Sequence, residues 1–165
     1  MADVRDTVFE QLRSMGIAFE WIEHAAAHTM EECRIPAEQL NALMPKNLFL
    51  APRNHSLFYL LIMRPDAEFR TSDISHQLGV SRLGFAPQEK LWEFMHTKPG
   101  AISPMGLLFD EGREVRVAVD EELLKAERLA FHPCENTSSL AMSKEAFFKE
   151  YLSGLGRNPE FVKIG

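Results

Sequence analysis

"PKNLFLAPRNHSLFYLLIM", residues 45–63, holds two apolar runs separated by a polar pentapeptide. The runs "NLFLA" (47–51) and "LFYLLIM" (57–63) have strand length, and "PRNHS" (52–56) supplies proline, asparagine and serine for a turn. The stretch predicts a β-hairpin. Neither run alternates polar with apolar residues, so both faces of both strands are expected to be covered. The hairpin therefore belongs inside a sheet, with layers on either side. Lys46 and Asn47 raise a separate question, because an ammonium and an amide stand where a buried strand begins, directly behind Pro45. A solvated strand end is one reading of Lys46; a site at the mouth of the strand is the other.

Outward from the hairpin, helical and strand patterns interleave. Residues 3–15 carry Val4, Val8, Leu12 and Met15 at helical spacing, with Gly16 as the stop. "AFEWIEH" (18–24) alternates like a strand. Thr29 and Glu32 form a capping box, and Pro36 is expected to open another helix. Thr71 is expected to cap a helix ended by Gly79, and Pro87 to be the first helical residue of "PQEKLWEFMH" (87–96). "RLGFA" (82–86), "EVRVAVD" (114–120), "RLAFHP" (128–133), "SLAMS" (139–143) and "PEFVKI" (159–164) read as strands, and Ser143 caps an amphipathic helix over 144–156. This interleaving predicts a mixed α/β class, with a central sheet covered by helices. No repeat, low-complexity tract or Gly/Ser linker divides the 165 residues, so one domain over 1–165 is expected.

Composition narrows the function. Eighteen basic against 24 acidic residues give a net charge of −6, which argues against a DNA-binding protein or a general nucleic-acid binder that relies on broad phosphate contact. No apolar run approaches a membrane span, and "MADVRDTVFEQL" looks like neither a signal nor a transit peptide. Two cysteines outside any CxxC fit a reducing, cytoplasmic setting.

The familiar catalytic patterns are missing. His24 and His28 stand four apart, but no H-E-x-x-H accompanies them, and His132 with Cys134 lacks zinc-site spacing. There is no G-x-S-x-G elbow and no phosphate-cradling glycine motif. Three polar loop segments remain: 45–47, 99–106 and 131–139. In the second, Gly100 and Gly106 permit unusual backbone angles while Pro99 and Pro104 stiffen the chain. Such a loop can aim backbone N–H groups at a developing oxyanion, or it can be an ordinary turn between helix and strand.

The segments "WIEHAAAHTMEE", "KNLFL", "RLGFAPQEKLWEFM", "KPGAISPMGLLFD", "VAVDEELL" and "FHPCENTSSLAMS", in that order, resemble the YbaK/prolyl-tRNA-synthetase-associated editing domain family. Within it they are most similar to the free-standing alanyl-tRNA(Pro) deacylases, from about Phe9 to the C-terminus. The resemblance implies a central mixed, curved β-sheet covered by helices. It also implies hydrolysis of the ester that joins a wrong amino acid to tRNA(Pro), with no metal, no cofactor and no covalent intermediate. Lys46, Gly100 and His132 are the implied catalytic residues. Asn47, Ala101, Ile102, Ser103, Pro104, His24 and Thr29 are the implied substrate contacts. The implied partner is the aminoacylated acceptor end of tRNA(Pro), with prolyl-tRNA synthetase left open as a second. His132 is the one nearby side chain with a useful intrinsic pKa, and the substrate's own ribose hydroxyl is the family's usual aid to the attacking water. Lys46, Arg53, Arg82 and Lys98 are candidates for a small basic rim. Met44 and Pro45 before the lysine, and His28, depart from the commoner family pattern near the pocket. The preference among alanine, serine and cysteine therefore stays open, as does a noncatalytic module that binds tRNA or a synthetase. A general small-ester hydrolase lacks a nucleophile signature.

Overall fold

The computed structural model describes residues 3–165. The hairpin forms as its sequence predicts. β2 (Lys46–Pro52) and β3 (Phe58–Met63) pair antiparallel, with Lys46 opposite Met63 and Leu50 opposite Tyr59. Every residue of β3 is buried. Phe58, Leu60 and Ile62 face the main core, while Tyr59, Leu61 and Met63 face a second core under α3 (Thr71–Leu78). This is the physical reason the run shows no alternation: each face of the strand has its own apolar layer.

Around the hairpin lies a mixed five-stranded sheet. β4 (Leu83–Phe85) pairs antiparallel on the far side of β2, and β5 (Val115–Asp120) lies parallel to β3 with β8 (Glu160–Val162) parallel beyond it. A second, antiparallel sheet places β7 (Ser138–Ser143) between β1 (Glu20–Glu23) and β6 (Arg128–Phe131). The mixed α/β class holds, with the strands shared between two sheets. α1 (Val4–Ser14) buries Val8, Phe9 and Leu12 in the main core, and so packs on the body of the fold. α2 (Met30–Gln39) lies on the smaller sheet through Cys33 and Ala37, against Ala130 and Ala141.

The two sheets are stitched together just before the site. Leu43 bridges in parallel to Leu129 of β6, its N–H donating to the Arg128 carbonyl at 3.0 Å and its carbonyl accepting from Ala130 N–H at 2.9 Å. Three residues later β2 begins in the other sheet. Residues 43–46 thus cross the seam.

Several local expectations shift. Pro36 lies inside α2 and opens no new helix; the helix runs on, and the Pro36 carbonyl still accepts from Leu40 N–H at 3.1 Å. Thr71 is the first residue of α3, and its hydroxyl donates to the Leu83 carbonyl of β4 instead of capping its own helix. Pro87 is the N-cap of α4 (Gln88–Met95), one residue ahead of the expected place. The C-terminal helix is π-wound over Ala146–Leu152, and Ser143 Oγ accepts from Ala146 N–H at 3.0 Å as its sequence position predicts. Gly79 closes α3 at φ 68°, as expected of a helix-stop glycine.

Candidate active site

Where the seam opens, a cavity of about 150 Å³ is bounded by residues from four distant segments. The start of β2 contributes Lys46 and Asn47, preceded by Met44 and Pro45. The start of α2 contributes Thr29, Met30 and Cys33, behind Ala27 and His28. Gly100 and Ile102 come from the loop after α4, and His132 directly follows β6. A volume of this size accepts about one benzene-sized group. A nucleoside does not fit inside it.

Lys46 is half-buried, and its Nζ donates to the Ala67 carbonyl at 2.8 Å. Asn47 Nδ2 lies 3.5 Å from the Pro45 carbonyl, which assigns its Oδ1 to the other side; that oxygen is buried and has no donor among the described residues. A buried carbonyl oxygen left unpaired costs about 1–3 kcal/mol, so it is a standing acceptor for a ligand N–H or a water.

Gly100 has φ +92°, a conformation that side chains disfavour, and a Cβ added there would meet nothing within 4 Å. Backbone geometry, and not space, is what requires glycine at this position. The Ala101 N–H is committed to the Lys98 carbonyl at 3.0 Å. The N–H groups of Gly100 and Ile102, which both border the cavity, have no acceptor among the described residues. Gly106 departs from expectation: its φ is not positive, and it is small because a Cβ would stand 2.8 Å from both Cβ and the carbonyl oxygen of Met95.

His132 is buried with both ring nitrogens engaged. Nδ1 lies 3.2 Å from the Ser138 carbonyl, which places the proton on Nδ1 and leaves Nε2 as acceptor, 3.5 Å from Cys33 Sγ. Burial pushes its pKa below the usual 6.5; the Ser138 carbonyl opposes this, and His24, 6.3 Å away between ring centres, adds to it. A neutral ring whose Nε2 faces a thiol is poorly placed as a general base for water. Burial also raises the Cys33 thiol, with Glu32 adding to it, so the sulfur is not a poised nucleophile.

The pH consequence follows by linkage. Above pH 6.5 the ring is neutral in both folded and unfolded chains. Below it the unfolded chain takes up a proton that the folded ring refuses, so stability falls as pH drops from about 6.5 toward the lower folded pKa. Thermal melts between pH 7.5 and 5 are expected to show a declining Tm, with a shallower slope in His132→Asn. Burial raises the Glu135 carboxyl, but hydrogen bonds from Ser138 and Thr137 outweigh it and set its pKa below 4.5, so its contribution is lost in a separate, more acidic window.

The remaining sequence-derived contacts divide. Thr29 borders the cavity, but its hydroxyl serves as the α2 cap, accepting from Glu32 N–H at 3.1 Å and donating to Glu32 Oε1 at 3.2 Å. His24 is not on the cavity wall; its ring is held by Ser139 Oγ at 2.8 Å and the Ala25 carbonyl at 2.7 Å. Ala101 is buried facing an adjacent cavity. Ser103 is fully buried, its Oγ accepting from Met105 N–H at 3.1 Å at the start of a 3₁₀ turn over Pro104–Phe109. Pro104 is buried too, and its carbonyl accepts from Tyr151 Oη at 2.6 Å. Ser103 and Pro104 therefore anchor the loop from within the core. The basic rim is also smaller than expected. Arg53 follows β2 at the end opposite Lys46, and Arg82 precedes Leu83, which pairs with Pro52 at that same end, roughly 20 Å away along the strand. Ala27, Met30 and Cys33 escaped sequence reading. Cys33 and His132 are 99 positions apart, and no local pattern joins them.

Comparison with known proteins bears on this cavity. A family model described as "Aminoacyl-tRNA editing domain" matches residues 24–149. The Prolyl-tRNA editing protein ProX of Acetoanaerobium sticklandii is 31% identical over 144 residues, 87% of each chain. Prolyl-tRNA synthetase associated domain-containing protein 1 of Bos taurus is 28% identical over 162 residues, covering 96% of this chain and 94% of the relative. A solved structure of a candidate trans-editing enzyme for prolyl tRNA synthetase superposes with a TM-score of 0.74 over 99% of this chain and 98% of that one, at 16% identity, and so shares the fold.

Proposed function

The chain belongs to the aminoacyl-tRNA editing domain family, and from that premise we propose that it is a deacylase acting in trans on mischarged Ala-tRNA(Pro). The observation that carries the reading is the small cavity at the seam, lined by Lys46, by Asn47 with its unpartnered amide oxygen, and by Gly100 and Ile102, whose backbone N–H groups are free among the described residues. Each matches one part of an aminoacyl ester. Asn47 Oδ1 accepts from the substrate's α-ammonium, a donor that would satisfy the buried oxygen. Met44, Met30 and Ala27 enclose a small apolar side chain.

The reaction needs one bond formed and one broken. A water oxygen adds to the ester carbonyl carbon, and negative charge collects on the carbonyl oxygen. The Gly100 and Ile102 N–H groups are the donors for that oxyanion, held in place by the φ of Gly100 and the buried anchor at Ser103 and Pro104. The bond from carbon to ribose oxygen then breaks, the water's proton passing to the ribose oxygen. Lys46, released from Ala67, supplies a compact positive charge to the terminal phosphate or ribose and orients the ester. His132 is engaged on both sides, so water activation falls to the substrate's neighbouring ribose hydroxyl.

The whole chain acts as one editing domain, its partner being the acceptor end of tRNA(Pro) in the cytoplasm, with prolyl-tRNA synthetase as the source of the mischarged tRNA. No described helix is long and apolar enough to cross a membrane. The test is single-turnover deacylation of Ala-, Ser-, Cys- and Pro-charged tRNA(Pro). Fast loss of the alanyl ester with the prolyl ester spared is the expected outcome. Faster loss of the seryl or cysteinyl ester would reassign the amino acid, and hydrolysis of none would remove the deacylase reading.

A further inference from the structure

The cavity holds an aminoacyl group and little more, so the nucleotides joined to it must leave across its rim. One exit is built. Ile102 borders both the site cavity and an adjacent groove of about 310 Å³, twice the size, whose walls include Leu48, Phe85, Gln88 and Pro99. Phe85 ends the edge strand β4 opposite Leu50, roughly 13 Å along the sheet from Lys46, and is 73% exposed. Its aromatic neighbour is Phe69, with ring centres 6.2 Å apart and planes tilted by 53°. A Phe so placed gains little by burial. It offers exposed aromatic surface in a groove that shares Ile102 with the site.

Charge sharpens the point. At −6 net, with Arg53 and Arg82 at the far end of β2 and Arg34 paired to Glu31 and Glu38, few cations close to the cavity are free to hold phosphates, Lys46 and Lys98 among them. Base stacking on an aromatic ring provides affinity for a single strand without demanding positive charge, and it tolerates any base. Resting on the deacylase reading above, we infer that the groove over Ile102 and Pro99 takes the unpaired nucleotide preceding the terminal adenosine of the tRNA, with its base stacked on Phe85. Trp92, 55% exposed on α4, lies on the other side of Pro99, where it borders a separate cavity with Lys98 and stacks on His96 at 5.7 Å. It is the natural comparison, since it is equally aromatic but off the path through Ile102.

Two substrates separate this inference from the activity itself: Ala-tRNA(Pro), and the alanyl ester of adenosine 5′-monophosphate, which has no preceding nucleotide. Phe85→Ala is expected to raise the half-saturating enzyme concentration for the tRNA about tenfold in single-turnover assays while leaving the mononucleotide ester unchanged. Phe85→Tyr should restore tRNA affinity, and Trp92→Ala should leave it intact. A wild type inactive on both substrates would sink the deacylase reading. An active wild type with Phe85→Ala unchanged on the tRNA, or weakened equally on both substrates, or with the loss appearing in Trp92→Ala instead, would overturn the stacking assignment alone.

Discussion

Lys46→Ala is expected to slow single-turnover deacylation of Ala-tRNA(Pro) by about 10²-fold, the loss that follows when a group orienting the reacting ester is removed. The fold should hardly notice. Lys46 makes one side-chain hydrogen bond among the described residues, to the Ala67 carbonyl, and it is half-buried, so the expected stability cost is about 1 kcal/mol or less. This split between a large rate effect and a small stability effect is what distinguishes a site lysine from a solvated strand end. Lys46→Arg should recover little, because a planar guanidinium fork does not replace a compact ammonium between Ala67 and the cavity. The measurement is a deacylation time course beside a thermal melt for each variant. A Lys46→Ala protein that melts like wild type and deacylates at wild-type speed would place the chemistry elsewhere.

Arg157→Met carries the largest expected effect on stability. Arg157 and Asp110 are both buried, and the guanidinium donates to Asp110 Oδ2 at 3.0 Å, to the Asp110 carbonyl at 2.9 Å and to the Val115 carbonyl at 2.5 Å. Asp110 in turn accepts from the N–H groups of Glu114 at 3.0 Å and Val115 at 2.8 Å. The pair ties the end of the 3₁₀ turn after Ser103 to the start of β5, and so backs the loop that carries Gly100. Removing the cation leaves a buried carboxylate with only backbone donors, at a cost of about 3–5 kcal/mol, and Tm should drop by about 10 °C. Because much of that cost is the stranded charge, Arg157→Met combined with Asp110→Asn should be less destabilised than the sum of the two single changes. Strict additivity in this double-mutant cycle would mean the two residues act independently, contrary to their contact.

Sequence by itself determined most of the elements and pointed to several residues of the candidate site. The unalternating runs at 47–51 and 57–63 announced a hairpin covered on both faces, and β3 proved buried throughout. The stops and caps at Gly79, Thr29 and Ser143 were legible because each is a local hydrogen-bond or backbone-angle preference. The polar residues at the mouth of β2 stood out before an apolar run, the 99–106 loop stood out by its glycines and prolines, and His132 entered through the family resemblance; the fold brings Lys46, Asn47, Gly100, Ile102 and His132 around one cavity.

Tertiary structure alone decided what each of them touches. The bridge from Leu43 to β6 sets the seam in which the cavity lies, and nothing local in "NALMP" encodes it. His24 turned to Ser139, and Ser103 and Pro104 turned inward, although their sequence context matches that of their neighbours on the cavity wall. Gly106 is small because Met95 packs against it, and His132 is held toward the neutral form by burial, with its Nε2 occupied by Cys33 from 99 positions earlier. Periodicity and capping act over a turn or two of chain and can be read there; contacts across a sheet seam depend on how the two sheets and their helices pack, and no short stretch of sequence contains that.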